Sequence, residues 1–179
     1  CRYLLVLYVK RGSTTSGNIT FNGSSVQTIS GSGTFNTGVI RNLSFSNTST
    51  AIPNIIWSSN DIKIAYNLDL TGARISLGTT KLTFGNGAAG NTLTAPNGTG
   101  FLSGSKFARW WTTGATGSAV TYGTTGATTD ISTATSKYPF VANDGTNRSM
   151  WITRSSNTTT GNVAGELQAV YTDATTTTR

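Results

Sequence analysis

Apolar residues recur along this chain as pairs flanking a single polar or charged residue: Ile19-Thr20-Phe21, Leu43-Ser44-Phe45, Ile62-Lys63-Ile64, Leu68-Asp69-Leu70, Ile75-Ser76-Leu77 and Leu82-Thr83-Phe84. In an extended strand such a triplet sends both apolar side chains to one face and the middle residue to the other. No stretch combines apolar spacing at three and four residues with helix-forming residues between, so the pattern predicts an all-β chain. The last four triplets begin at 62, 68, 75 and 82, with turn-forming pieces Ala65-Tyr66-Asn67, Thr71-Gly72-Ala73-Arg74 and Gly78-Thr79-Thr80-Lys81 between them. Together these steps span 20 residues, one circuit of a triangular β-solenoid. Stacked coils would continue parallel sheets at about 4.8 Å per coil and bury the apolar pairs inside.

Two longer periods coexist. Apolar pairs at 19, 43, 62 and 82 are spaced by 24, 19 and 20, whereas Asn followed by an apolar triplet occurs at Asn18, Asn42 and Asn67, spaced by 24 and 25. The coil length therefore stays open. Repeats of 20 to 30 residues favour a right-handed β-solenoid; the alternative is an antiparallel meander or sandwich throughout, because Thr-Gly and Gly-Thr connections also suit hairpins.

Near Asn97-Gly98-Thr99-Gly100 the texture changes. One Trp, Trp57, lies upstream and three, Trp110, Trp111 and Trp151, lie downstream. Longer strands are expected at Phe101 to Trp111, Ala119 to Tyr122, Tyr138 to Ala142, Arg148 to Arg154 and Gly165 to Tyr171, with Asn143 to Asn147 as a hairpin connection and 114 to 135 as a surface loop. The expected organisation is an apolar N-terminal strand (1–11), solenoid-like repeats (12–100), a small β-sandwich-like unit (101–173) and a Thr-rich linker (174–179). Both ends read as joints to something longer.

Composition narrows the function classes. The 179 residues include 35 Thr, 21 Gly, 20 Ser and 15 Asn, and only 11% are charged, against about 25% in ordinary soluble domains. The absence of His removes His-ligated metals and His-based triads, and a single Cys removes internal disulfides and Cys-rich metal sites. The longest apolar run near the start, Leu4 to Val9, is far shorter than a spanning helix of roughly 18 residues. A net charge of +7 raises nucleic-acid binding, but the basic residues are scattered, and only Lys10 and Arg11 adjoin. Phosphate tracking requires a clustered stripe, so no nucleic-acid partner is expected.

Candidate chemistry is sparse. Asp61 and Asp69 could approach one another on adjacent faces, with Lys63 and Arg74 nearby, in the manner of a polysaccharide-cleaving β-helix; glycosidases hold two carboxylates about 5 to 10 Å apart. Yet Asp69 and Lys63 occupy outward positions of their triplets, where charge is simply solvated. Asn143-Asp144-Gly145-Thr146-Asn147 offers oxygen ligands but one carboxylate, too few for a calcium loop. No catalytic residue, metal or cofactor is therefore expected. Trp110-Trp111 is the most unusual dipeptide: in a strand one ring enters the core while the other is more exposed, a possible platform for a sugar ring or a partner. Sequons at Asn18, Asn22, Asn42, Asn47, Asn97, Asn147 and Asn157 exceed chance only mildly in a chain so rich in Ser and Thr.

The first eleven residues, CRYLLVLYVKR, lack the Thr/Ser/Gly dressing of the rest. The apolar run after Cys1 speaks against a lipoprotein tether. The strand formed by Tyr3, Leu4, Leu5, Val6, Leu7, Tyr8 and Val9 either packs as the first strand of its own solenoid or is donated to the sheet of another subunit, building a filament by strand addition.

Phe21 to Gly31, Leu68 to Phe84, and Lys137 to Val141 with Asn143 to Thr146 and Trp151 to Thr153 together resemble segments of large secreted surface proteins of Bacteroidetes-type bacteria. Phe21 to Gly31 resembles their "FNG-x-x-x-QTISG" openings. Leu68 to Phe84 is similar to their "L-x-L-x-x-G-x-L-x-L-G-x-x-x-L-x-F" strands, and Lys137 to Val141 with Asn143 to Thr146 and Trp151 to Thr153 to their "FPVG-x-x-x…V-x-I-T" segment. The usual Gly after Pro-Phe-Val is Ala142 here. The resemblance implies an extracellular adhesin or stalk segment displayed on the outer surface, with no catalytic residues. The expected function is therefore a non-catalytic structural or adhesive stalk, surface-fibre or filament segment, and the expected partners are a second copy of the chain, neighbouring domains or glycans. The alternative function is a carbohydrate-binding or polysaccharide-cleaving β-helix.

Overall fold

The computed structural model describes residues 18–31, 40–85, 92–111, 137–151 and 165–173. Among these residues every element is a strand: β1 (Asn18–Gly23), β2 (Gln27–Ser30), β3 (Ile40–Asn47), β4 (Ile55–Ser58), β5 (Ile62–Asp69), β6 (Arg74–Ser76), β7 (Lys81–Phe84), β8 (Thr92–Thr94), β9 (Gly100–Phe101), β10 (Lys106–Trp111), β11 (Lys137–Tyr138), β12 (Met150–Trp151) and β13 (Gly165–Val170). A seven-stranded sheet runs β1-β3-β5-β7-β10-β13, with β8 also paired to β5, and a four-stranded sheet runs β2-β4-β6-β9. All neighbours in these two sheets are parallel except β10 and β13. The chain alternates between the sheets and returns to each one rung further on, which makes it a β-solenoid. The antiparallel meander is excluded over these strands.

Both sequence periods are real, and they belong to different halves of one strand. Residues 62–64 of β5 pair with 82–84, a step of 20, while residues 67–69 pair with 92–94, a step of 25. The Asn period of 24 and 25 marks the true rungs of that second half: Asn18 lies beside Asn42, and Asn42 beside Asn67. The pair at Leu43 is followed on its ladder by Leu68, not by Ile62. Ala65-Tyr66-Asn67 is therefore strand rather than turn. The alternation breaks there, because Ile64 and Ala65 are both buried, and the register shifts between Ile40 and Asn42 on the facing strand. The three separate faces expected from the triplets become one continuous sheet with two differently paired halves, plus a second sheet. The other two turn pieces do turn: Ala73 N–H donates to Leu70 O at 3.0 Å and Thr80 N–H to Leu77 O at 2.9 Å.

Like residues stack on like positions inside the coil. Ile19, Leu43, Leu68 and Leu93 form one ladder, and Ile55, Ile75, Phe101 and Phe140 another. Phe21 stacks on Phe45 with ring centroids 5.4 Å apart, and Trp57 meets Phe21 edge-on. Full burial of each such side chain contributes roughly 1.5–3 kcal/mol relative to leaving it in water. Polar corners hold the coils in register. The buried Asn54 amide donates to Gly72 O at 2.6 Å while its Oδ1 accepts from Arg74 N–H at 2.7 Å. The buried Asn47 amide donates to Ser25 O at 2.8 Å and Gln27 Oε1 at 3.0 Å. Gly72 is demanded by close approach: a Cβ there would stand 2.5 Å from Asn47 O.

Downstream of residue 100 the parallel ladders continue before they are closed. Phe107 follows Leu82 on the first sheet, and Phe140 bridges Phe101 in parallel on the second. Phe101 and Phe107 stack at 4.7 Å, Tyr138 packs edge-on against Phe107, and all belong to the same apolar core as the upstream strands. The change of texture marks the appearance of antiparallel neighbours, β13 on β10 and β12 on β11. The long strand expected from Phe101 to Trp111 is broken at 102–105, where Ser105 N–H donates to Leu102 O. Asn143 to Asn147 forms the expected hairpin connection: Ala142 N–H donates to Thr146 O, Gly145 N–H to Ala142 O, and Gly145 has φ of 86°. The N-terminal strand at 3–9, the strand at Ala119 to Tyr122, the loop at 114–135 and the linker at 174–179 lie outside the described residues.

Candidate functional site

The acidic residues singled out by sequence are tied to neighbouring rungs and turns. Asp61 Oδ1 accepts from Lys81 N–H at 2.8 Å. Asp69 Oδ1 accepts from the backbone N–H and hydroxyl of Thr71, at 2.9 and 2.6 Å, and its Oδ2 accepts from Ser44 Oγ at 3.3 Å. The two carboxylates stand at opposite ends of β5 and share no partner among the described residues, so these residues do not assemble them into an acid–base pair. Asp144 Oδ1 caps its turn by accepting from Thr146 N–H at 2.8 Å; hydrogen bonds from Thr146 hold its carboxyl below the usual carboxylate range. Among the described residues no three His, Cys, Asp or Glu side chains gather as metal ligands, and no helix is long and apolar enough to cross a membrane.

The charged cluster that does form was not legible as one. Glu166, the single Glu of the chain, lies on the antiparallel strand β13, and its carboxylate reaches Lys81 Nζ at 2.8 Å and Lys63 Nζ at 3.5 Å. Burial pushes the Glu166 carboxyl up, but the hydrogen bond and charge of Lys81, with the charge of Lys63, outweigh it and hold the group below its ordinary value. Lys63 thus serves as an outward ion-pair partner. Trp110 sits opposite Glu166 in register and is half-buried, while the side chain of Trp111 lies outside the described residues. The inward positions of β10 go to Phe107 and Arg109: Arg109 is 2% exposed, lies over the Phe84 ring, and donates from Nη1 to Lys137 O at 2.8 Å. Period-two spacing from Phe107 was the available signal for that burial, but charge alone suggests the surface.

Lys137 is buried as well. Its Nζ donates to Ala95 O at 2.6 Å and lies 5.6 Å from the Trp151 ring centroid, and desolvation lowers its pKa from the ordinary lysine value. Thr83, the middle residue of its triplet and so expected outside, is 1% exposed, and its hydroxyl has no hydrogen-bond partner among the described residues. The middle residues on the other half of the sheet do face outward: Thr20 is exposed and Ser44 and Asp69 half-buried.

Compared with known proteins, the chain matches no family model, no curated protein and no solved structure. Its reading therefore rests on its own residues.

Proposed function

We propose that this chain is a non-catalytic extracellular structural or adhesive segment of a bacterial cell surface. The observation that supports this most is the use made of the titratable groups: Asp61, Asp69, Asp144 and Glu166 each hold a turn, a rung or a strand junction. Nothing in that set forms the separated acid and base that glycan cleavage requires. A stack of parallel rungs suits a strut, because every coil is pinned to its neighbours by a continuous ladder. Self-association has an opening in the same fold. Among the described residues β1 pairs only with β3 and β2 only with β4, and the β-prone segment Tyr3–Val9 is the strand to extend such an edge.

The test uses beads coated with the full chain, flowed over bacterial cells, with electron microscopy of the free chain alongside. Retention of the beads, or regular fibres in the micrographs that vanish on deletion of residues 1–11, is the expected result. Beads that wash off as freely as uncoated ones, together with a chain that forms no assemblies, would overturn the reading.

A further inference from the structure

The outer face of the part of the large sheet formed by β1, β3, the second half of β5 and β8 is a lattice of short polar side chains. Asn18, Asn42, Asn67 and Thr92 stack in register along the solenoid axis, one from each of four successive rungs. Two residues further along each strand Thr20, Ser44, Asp69 and Thr94 form a second column in the same register. All eight are exposed or half-exposed. The columns repeat at about 4.8 Å between rungs, and the two columns stand roughly 6.6 Å apart.

Four of the eight side chains are tied to one another, and only Asp69 carries charge. Asn42 donates its amide to Asn18 Oδ1, and Ser44 donates to Asp69, whose other oxygen takes both Thr71 donors. The single carboxylate is thus held by neighbours within the face. One residue before Asn42 and Asn67, the Arg41 guanidinium is stacked over the Tyr66 ring, 4.0 Å from its centroid. Amides and hydroxyls both donate and accept, which matches hydroxyl-rich partners and gives no grip on phosphates. One such contact is weak, but many contacts in register add without further cost in orientation, and the hydrogen bonds already holding Asn18, Asn42, Ser44 and Asp69 reduce the ordering cost of those four on binding.

We infer that this face binds a neutral, extended polysaccharide whose regularly spaced hydroxyls lie along the solenoid axis. The inference rests on the adhesive reading and names its partner class. The test is retention of the full chain on microcrystalline cellulose and on chitin. The double variant Thr20→Tyr with Thr94→Tyr breaks the flatness from two exposed positions, and Thr28→Tyr, exposed on the other sheet, is the control. Circular dichroism confirms that each variant keeps its β spectrum. Retention of the wild type on at least one polymer, reduced tenfold or more in the double variant and unchanged in Thr28→Tyr, is expected. No wild-type retention on either polymer, or equal retention by the double variant, overturns the inference. So does shaping of growing ice crystals by a chain that neither polymer retains, because the lattice would then match ordered water. Beads that adhere to cells while the chain ignores both polymers would remove this inference and leave the adhesive reading standing.

Discussion

The carboxylate of Glu166 lies 2.8 Å from Nζ of Lys81, 85 residues earlier in the chain, and so joins the antiparallel closing strand to a parallel rung two strands away. With Lys63 as second partner, it is an ionic fastening of β13 to the solenoid. Its folded-state pKa is depressed, so its contribution is fully present above the unfolded value, near the ordinary 4.5, and is lost as pH falls through the folded value. Both lysines are partly solvated, which limits the gain to about 0.5–1 kcal/mol. Glu166→Gln should therefore lower the thermal midpoint at pH 7, and the difference from wild type should shrink toward zero in strongly acidic buffer. An equal difference at both pH values would show that the pair is not the cause.

The central leucine ladder offers a second check. Leu68 is fully buried between Leu43 and Leu93, with a rung on each side and no free end to relax into. Leu68→Ala should cost about 2–5 kcal/mol in denaturant unfolding, whereas Ser76→Ala, half-exposed on the second sheet, should cost under about 0.5 kcal/mol. Similar losses at both sites would contradict the stacked core.

Glycine positions divide by what surrounds them. A Cβ at Gly72 meets the Asn47 backbone, and at Gly100, where φ is +135°, it collides with the Pro139 carbonyl oxygen. Gly78 has φ of +53° but open space around it. Gly78→Ala should cost about 1–2 kcal/mol, while Gly72→Ala and Gly100→Ala should reduce soluble folded yield sharply. Thermal melts of the three variants rank them directly.

Asn54 holds a coil corner through both ends of its amide, and its own N–H and C=O complete the rung between Gln27 and Arg74. Asn54→Ala strips the side-chain partners from the part-buried Gly72 O and Arg74 N–H, at up to about 1–3 kcal/mol for each group left unpaired. Asn54→Asp should restore the acceptor to Arg74 N–H but not the donor to Gly72 O, and so recover only part of the loss in an unfolding titration.

The triplets made the all-β coil legible, because a period of two survives any choice of coil length. They misled where one strand changes partner halfway. Ile64 and Ala65 are both inward, a break in alternation that looks like a turn when only apolar spacing is read. The recurrence of Asn at 18, 42 and 67 carried the true register, since amides in parallel rungs stack on one another. The Glu166 junction could not be foreseen, because which strand a lone carboxylate meets is decided by long-range pairing. Lys137 and Arg109 were hidden for another reason: a cation is buried only when backbone carbonyls such as Ala95 O and the Lys137 carbonyl are placed to receive it.

The most direct test of a non-catalytic surface role is to incubate the full chain with a panel of neutral and acidic polysaccharides while following reducing ends and unsaturated products over days. A flat trace, from a chain that still adheres to cells as coated beads, is the predicted result. Product formation that is lost in Asp61→Asn or Asp69→Asn, with the fold intact, would contradict it and make the chain a carbohydrate-cleaving solenoid.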